Sequence, residues 1–277
     1  MAVTSPRKAA AAVAANLTLV VVAVAFLAPF TWMLLASVDE AATLTAALPQ
    51  QPTLDNFQQV LTRENLRAFG NGILLSAGSG LLTMLVATLA AYPLSRFNLR
   101  FGRPFLYTIL FATGLPITAI MVPVYGLFVQ LDLVDSQLAT MLFLATTGLP
   151  FGIWLTKNFM DGVPVSLEEA AWVDGASGMQ ALRRVVVPLM LPGAAVVFIF
   201  TFILAWGNFF VPFILLLSPE KQPAAVTIYQ FFSQYGQVTL GPLAAYSILY
   251  SLPVVALYLA VQRTLSGAFS FAGATKG

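Results

Sequence analysis

The apolar residues of this chain fall into six long runs that are separated by shorter polar segments. The runs cover about residues 14–38, 69–94, 104–129, 138–159, 189–217 and 242–261. A helix needs about 20 apolar residues to cross the hydrocarbon core of a bilayer. The pattern therefore predicts an all-α membrane protein with six transmembrane helices, forming a single transmembrane domain over residues 1–277.

The first run continues without a charge from Ala9 to Val38. The apolar core of a secretory signal peptide spans only about 7–15 residues. We therefore expect this run to be a first transmembrane helix that is retained in the protein.

The polar segments predict the connections. Residues 39–67 form a loop with a short helix around 56–61, residues 218–241 form a loop with an aromatic middle, and residues 262–277 form a tail. Pro116 and Pro123 predict kinks in the third span, because proline removes a helical hydrogen bond.

Positive charge is distributed unequally between the two sides of the predicted membrane. Ten of the 13 Arg and Lys residues lie on the side of the termini, and three lie on the other side. The ten are Arg7, Lys8, Arg96, Arg100, Arg103, Lys157, Arg183, Arg184, Arg263 and Lys276. Cytoplasmic loops carry the excess of Lys and Arg, so we expect both termini and the segment 160–188 to be cytoplasmic.

Composition narrows the range of functions. The chain is 59% hydrophobic and 9% charged, and it contains no cysteine and no histidine. Thiolate chemistry and the commonest general base are absent, and a net charge of +2 gives no reason to expect nucleic acid. No phosphate loop and no charged residue in the middle of a predicted span is present. Uphill transport would then need energy from a partner. The chain also lacks the catalytic groups that an intramembrane protease needs.

The segment 160–188 is polar and strongly patterned. Ser166 and Glu169 have the spacing of a capping box, and Val165 and Ala170 have the spacing of a hydrophobic staple. These signals predict the start of a short helix. Its residues Leu167, Ala170, Ala171 and Asp174 share one face that could dock into a groove of another protein.

The same segment contains a turn and a second helix. Gly175 is the expected left-handed residue that ends the first helix. Ser177 and Gln180 form a second capping box, and Pro188 is expected to disturb the helix that follows. An ordinary capped surface helix between two spans would show the same local signals.

The segment resembles the cytoplasmic loop E-A-A-x3-G-x9-I-x-L-P of ABC importer permeases. It contains Glu169-Ala170-Ala171, Gly175 after three residues, and Val185-Val186-Val187-Pro188 after nine more. In that family the loop forms a coupling helix that docks in a cleft of the ATPase subunit. The resemblance assigns this role to Leu167, Glu168, Glu169, Ala170, Ala171, Asp174, Gly175, Ala176 and Pro188.

Further motifs resemble the maltose-type carbohydrate branch of these permeases, in particular the smaller permease of the pair. They are Pro52-Thr53-Leu54-Asp55-Asn56-Phe57, Leu89 to Arg96, and the tail Ala272 to Gly277. The resemblance implies a bacterial inner-membrane complex with a second permease subunit, two ATP-binding subunits that use ATP and Mg, and an extracytoplasmic solute-binding protein. The resemblance also implies that this chain binds no cofactor or metal and is not itself an enzyme. It further implies that Lys276 and Gly277 lie near the ATPase.

Sugar sites combine aromatic faces with hydrogen-bonding groups. Trp206, Asn208, Tyr246 and Tyr250 are therefore candidates for the substrate path, although helix packing or anchoring at the membrane interface is the commoner reason for such residues. The expected cargo is a sugar or oligosaccharide. Glycerol phosphodiesters and amino sugars are alternatives, and a passive channel is an alternative of a different class.

Overall fold

The structure is a computed structural model that describes residues 6–45, 47–232 and 238–273. Among these residues helices dominate, and the only β-type pairings are two isolated bridges. Thirteen α-helices are found in the described part of the chain: α1 Pro6–Ser37, α2 Asp55–Val60, α3 Arg63–Arg96, α4 Gly102–Ala112, α5 Ile117–Gln130, α6 Gln137–Asp161, α7 Val165–Val173, α8 Gly178–Ala181, α9 Val187–Leu189, α10 Leu191–Trp206, α11 Phe210–Leu215, α12 Ala224–Thr227 and α13 Leu240–Gly273.

Four of these helices are long and apolar enough to cross a membrane. They are the part Val13–Ser37 of α1, the helices α3 and α6, and the part Leu240–Gln262 of α13. Two bent pairs raise the number to six, namely α4 with α5 and Gly178–Leu189 with α10. The described chain is thus all-helical with four to six candidate spans, and the predicted six lie at the upper end.

The first of the two bent pairs has a local cause. The axes of α4 and α5 differ by 94°, and Pro116 lies at the break as the extended residue before α5. Pro123 lies inside α5, which continues through it without interruption. In the second pair, the axis of Gly178–Leu189 differs by 77° from that of α10.

The sequence predicted one continuous helix for the fifth apolar run, and the structure shows that this is wrong. The helix α10 ends at Trp206, and α11 begins at Phe210. The side chain of Asn208 accepts a hydrogen bond from the backbone N–H of Val211 at 3.0 Å. The side chain of Asn208 thus supplies a hydrogen-bond partner to an N–H group in the first turn of α11. This allows a new helix to begin within an apolar sequence.

The described residues form two compact units. The first consists of Met1–Thr62 and Ile228–Ser251. Its loop is held by the buried Asn56, whose Nδ2 donates to the carbonyl oxygens of Ser37 at 3.1 Å and Asp39 at 3.0 Å. The short helix expected around 56–61 is present as α2. The side-chain amide of Asn56 therefore fixes the position of the chain that follows α1. The sequence indicated this residue only as part of a motif.

The second unit consists of Arg63–Thr227 and Leu252–Gly277, and α3 packs closely on α6 and α10 within it. Small residues allow this approach. A Cβ added at Gly152 of α6 would lie 2.9 Å from Cγ2 of Thr83 on α3. The Thr83 hydroxyl donates to the carbonyl oxygen of Ala145 at 2.9 Å. Lipid provides little hydrophobic force between helices. Close packing at small residues and interhelical hydrogen bonds therefore hold this pair together.

One acidic residue organises the connection after α11. Asp135 lies between α5 and α6 with a φ of 64°. Its carboxylate accepts hydrogen bonds from the backbone N–H groups of Leu217 and Ser218 at 2.9 Å, from the Ser218 hydroxyl at 2.6 Å and from Lys221 Nζ at 2.7 Å. The hydrogen bonds from Lys221 and Ser218 hold the pKa of Asp135 well below its usual value. The beginning of the loop 218–241 is therefore fixed to the turn before α6.

We predict that Gly152→Ala destabilises the second unit, because the new methyl group meets the buried and hydrogen-bonded Thr83. The matched control is Gly126→Ala in α5, where a Cβ meets no atom within 4 Å. Both changes gain the same helix propensity of about 1 kcal/mol, so their difference reports the overpacking, which typically costs about 1–3 kcal/mol. Thermal unfolding in detergent measures it, and equal melting temperatures for the two variants would contradict the proposed close packing.

We predict that the stability supplied by Asp135 is lost in acid. Its pKa is lowered in the folded state, whereas an unfolded aspartate titrates near pH 4, at about 3.9. The contribution is therefore present above about pH 4 and is lost as the pH falls toward the folded value. Asp135→Asn should lower the melting temperature at pH 7 and weaken its decline below pH 4. Asp132→Asn, in the same turn, is the control and should keep the wild-type profile.

Candidate functional site

The helix α7 lies in the predicted coupling segment, but its start differs from the expected one. It begins at Val165 after Pro164, which has an extended conformation with a ψ of 127°, and no side chain caps it. Ser166 lies inside the first turn, so the expected capping box with Glu169 is wrong. The expected staple is also wrong, because Val165 is already helical. Proline is well suited to this boundary since it fixes its own φ and disfavours helix in the residue before it.

The end of α7 follows the sequence prediction. Gly175 has a φ of +85°. Its N–H donates to the carbonyl oxygen of Trp172 at 3.0 Å, and the N–H of Ala176 donates to that of Ala171 at 2.9 Å. These two bonds form a Schellman motif, in which a left-handed glycine lets the chain satisfy the last carbonyls of the helix. The direction of the chain after α7 is thus fixed by the backbone.

The second capping box is confirmed. The Ser177 hydroxyl accepts from the N–H of Gln180 at 3.3 Å, and the Gln180 side chain accepts from the N–H of Ser177 at 2.7 Å. The expected disturbance near Pro188 is also found, as the π-helical turn Leu182–Val186 that ends two residues before it. A π turn shifts the hydrogen-bond ladder by one residue, which accommodates a proline that has no N–H to donate.

Glu168 and Glu169 are neighbours in sequence but have different surroundings. Glu169 is exposed, while the Glu168 side chain is 0% exposed and forms an ion pair with Arg96. The Arg96 Nε donates to Glu168 Oε1. The sequence showed two adjacent acidic residues and a basic residue 72 positions earlier, and nothing in it indicated which glutamate turns inward.

The outward side of α7 is partly apolar. In the predicted docking face, Leu167, Ala170 and Asp174 are exposed, whereas Ala171 is half-buried. Val173, which the sequence analysis did not single out, is 88% exposed. It lies three residues after Ala170 and therefore on the same side of the helix. We call the set Leu167, Ala170 and Val173 the α7 surface.

The remaining coupling residues lie around the turn. Ala176 is half-buried and Pro188 is part of α9. The tail residues Lys276 and Gly277 lie outside the described residues.

Two of the four predicted substrate-path residues belong to the second unit. Asn208 lines a cavity of about 540 Å³ beside the break between α4 and α5, together with Thr113, Thr147, Phe151 and Phe200. Trp206 is buried instead, and its ring stacks on Phe202 with centroids 6.0 Å apart. The structure therefore brings Asn208 to a cavity, while Trp206 serves helix packing.

The other two residues belong to the first unit. Tyr246 is fully buried, with its ring centroid 5.0 Å from that of Phe231. Tyr250 is half-buried one turn later on α13. Packing accounts for the surroundings of Tyr246.

Comparisons with known proteins give consistent matches. Over 79% of this chain, 33% of residues are identical to a putative ABC transporter permease protein, ORF1, of Streptomyces antibioticus, of which 96% is covered. Identity is 30% to the trehalose transport system permease protein SugB of Mycobacterium tuberculosis, over 91% of this chain and 93% of that protein. A solved bacterial ABC transporter involved in the import of the acidic polysaccharide alginate superposes with a TM-score of 0.82 at 22% identity, over 95% of this chain and 99% of that chain.

These matches confirm the resemblance to ABC importer permeases and a multi-pass location in the plasma membrane. A family model described as "binding-protein-dependent transport system inner membrane component" matches residues 83–267, which is more than half of the chain. The protein therefore belongs to the family of binding-protein-dependent transport system inner membrane components, the permease subunits of ABC transporters.

Proposed function

We propose that this chain is a permease subunit of an ATP-driven, binding-protein-dependent importer of a sugar or oligosaccharide, and that it forms half of the translocation path. The observation that carries the proposal is the α7 surface, an exposed apolar patch on a short helix with a fixed exit turn, within the matched family region. The names of the relatives support a carbohydrate cargo, since one is a trehalose permease and the similar structure imports alginate.

The energy for transport has to come from partners. The sequence contains no phosphate loop and no charged residue in the middle of a predicted span that could bind a coupling ion. We therefore assign ATP and Mg to two ATP-binding subunits and a non-catalytic role to this chain. The distribution of positive charge supports cytoplasmic termini and a cytoplasmic α7, where such subunits would bind.

The α7 surface suits docking in a cleft of an ATP-binding subunit. Leu167, Ala170 and Val173 offer small and medium apolar side chains, and Glu169 and Asp174 add negative charge nearby. An apolar centre with charged surroundings is the usual composition of a protein interface. Movement of the docked subunits on ATP binding would move α7 and switch the spans between inward-open and outward-open states.

On the opposite side we expect a second permease subunit to complete the path and a solute-binding protein to deliver the cargo. The loop beginning at Ser218 supports this role, because Asp135 holds its first residues in place. The cavity beside Asn208 combines aromatic and hydroxyl groups, and none of the described residues that line it is cationic. This composition favours a neutral sugar over a glycerol phosphodiester.

The docking role of α7 predicts that Val173→Asp prevents recovery of an ATP-binding subunit with this chain. A charge placed on the α7 surface would have to be desolvated in the interface, and we expect recovery to fall by about tenfold or more. Leu48→Asp is the control, because Leu48 is 80% exposed and lies in the loop of the first unit.

Co-purification measures the docking of the ATP-binding subunit. ATP-dependent uptake of radiolabelled sugars into proteoliposomes measures the import. The wild-type complex and Leu48→Asp should accumulate sugar, and Val173→Asp should not. Accumulation by this chain without any ATP-binding subunit would refute the proposal.

The fixed turn after α7 predicts that Gly175→Val uncouples ATP hydrolysis from uptake. A Cβ at this position meets no atom within 4 Å, so the cost arises from the positive φ alone, about 1–2 kcal/mol or more for a branched residue. Gly175→Asn should retain most of the uptake, because asparagine tolerates the left-handed conformation. Uptake and ATP hydrolysis are measured together in proteoliposomes. Normal uptake per ATP in Gly175→Val would show that this turn geometry is unnecessary.

A further inference from the structure

One arginine connects α7 to the ends of two long helices. The side chain of Arg96, the last residue of α3, is 3% exposed, and its Nε donates to the carboxylate of the fully buried Glu168 on α7. Met160, Val163, Leu182 and Val186 pack together in an apolar cluster of the same region. The pair is therefore removed from water and sits among apolar side chains.

The same guanidinium also holds the end of α6. Nη1 of Arg96 donates to the carbonyl oxygen of Met160 at 3.1 Å, and Nη2 donates to that of Val163 at 3.2 Å. Met160 is in the last turn of α6, and Val163 lies in the three-residue connection before α7. Carbonyls at a helix end have no partner within the helix, so Arg96 supplies one. A single side chain thus binds α3, α6, the connection and α7.

A second contact strengthens the joint between α3 and α6. The Ser95 hydroxyl donates to Asp161 Oδ1 at 2.6 Å, and it accepts from Nη1 of Arg96 at 3.0 Å. Asp161 also pairs with Lys157 at 2.5 Å. These bonds fix the two helix ends to each other independently of α7.

The chemistry of arginine explains why this joint resists opening. Its planar group presents several donors in a fixed fork, so the carboxylate and the two carbonyls define one orientation of α7. Rotating α7 about the connection 162–164 would separate Glu168 from Arg96. Glu168 would then lose its charged partner, and Arg96 would keep only the uncharged oxygens of Ser95, Met160 and Val163. Breaking a buried pair in this way is costly.

We propose that Arg96 and Glu168 lock α7 to the joined ends of α3 and α6, so that the three helices move as one rigid body when an ATP-binding partner displaces α7. Both are positioning residues for coupling. Glu169 remains free to face the partner, whereas Glu168 acts inside this chain. The inference rests on the proposed function.

The first test keeps the charge and removes the fork. Arg96→Lys retains a cation beside Glu168, but one ammonium group cannot hold the carboxylate and both carbonyls in the same geometry. In the reconstituted complex we expect the sugar transported per ATP to fall roughly tenfold, a coupling loss of the usual allosteric size, while the amount of assembled complex stays unchanged. Arg100→Lys is the matched control, because Arg100 is exposed in the following turn. Wild-type stoichiometry in Arg96→Lys would overturn the proposal.

The second test separates positioning from stability. The double variant Arg96→Met with Glu168→Met removes both charges, and such apolar replacements of buried pairs often fold as well as the original. We expect this variant to assemble and hydrolyse ATP while its uptake per ATP remains low. Recovery of normal coupling in this variant would show that the pair only stabilises the fold, and would overturn the proposal.

Hydrogen exchange of the complex gives a readout that does not depend on the cargo. If the lock exists, amides of Val165–Val173 exchange faster in Arg96→Lys than in the wild type, while those of α6 before Met160 keep their rates. Unchanged exchange in α7 would contradict the lock even if the variant failed to assemble fully. If α7 exchanges faster in Arg96→Lys but the wild-type complex transports no sugar, the proposed cargo is wrong and the lock stands.

Discussion

The hydrocarbon interior of the membrane offers no hydrogen-bond partner to the backbone, and this constraint shapes the whole chain. Each peptide group in a span has to be satisfied within a helix or by a neighbouring protein group. Where a helix stops inside an apolar sequence, a polar side chain can supply the missing partner, as Asn208 does at the start of α11.

The same constraint gives the close packing in the second unit its form. Helices that gain little from excluding lipid need small residues and internal hydrogen bonds to associate. Gly152 and Thr83 provide both between α3 and α6. At their ends the two helices are joined again by Ser95 and Asp161, and Arg96 extends this joint to α7. Packing in the interior and hydrogen bonding at the end thus join α3 and α6 at two separate places.

The two ends of α7 show how rigidity is shared between backbone and side chains. At its end, the Schellman motif at Gly175 fixes the direction of the chain without any side chain. At its start, no side-chain cap exists, and the position depends on Pro164 and on the pair formed by Glu168. In the proposed coupling role, a displacement of the α7 surface would pass through these contacts into α3 and α6. The exposed Val173 and the buried Glu168 mark the two sides of this helix.

Sequence alone determined the features that depend on local chemistry. Apolar runs gave the helical class, Gly175 and the box of Ser177 and Gln180 gave the turn and the second helix, and the motif spacing gave the family. Local rules did not identify the start of α7. Ser166 predicted a start at its own position, whereas Pro164 precedes the first helical residue in the structure. The division of the fifth run rests on Asn208 within the run, a local signal that the apolar pattern outweighed. Only the tertiary structure decided that Glu168 turns inward and that Trp206 is packed. Both outcomes depend on residues far away in the sequence and on the space left by neighbouring helices, which no local pattern encodes.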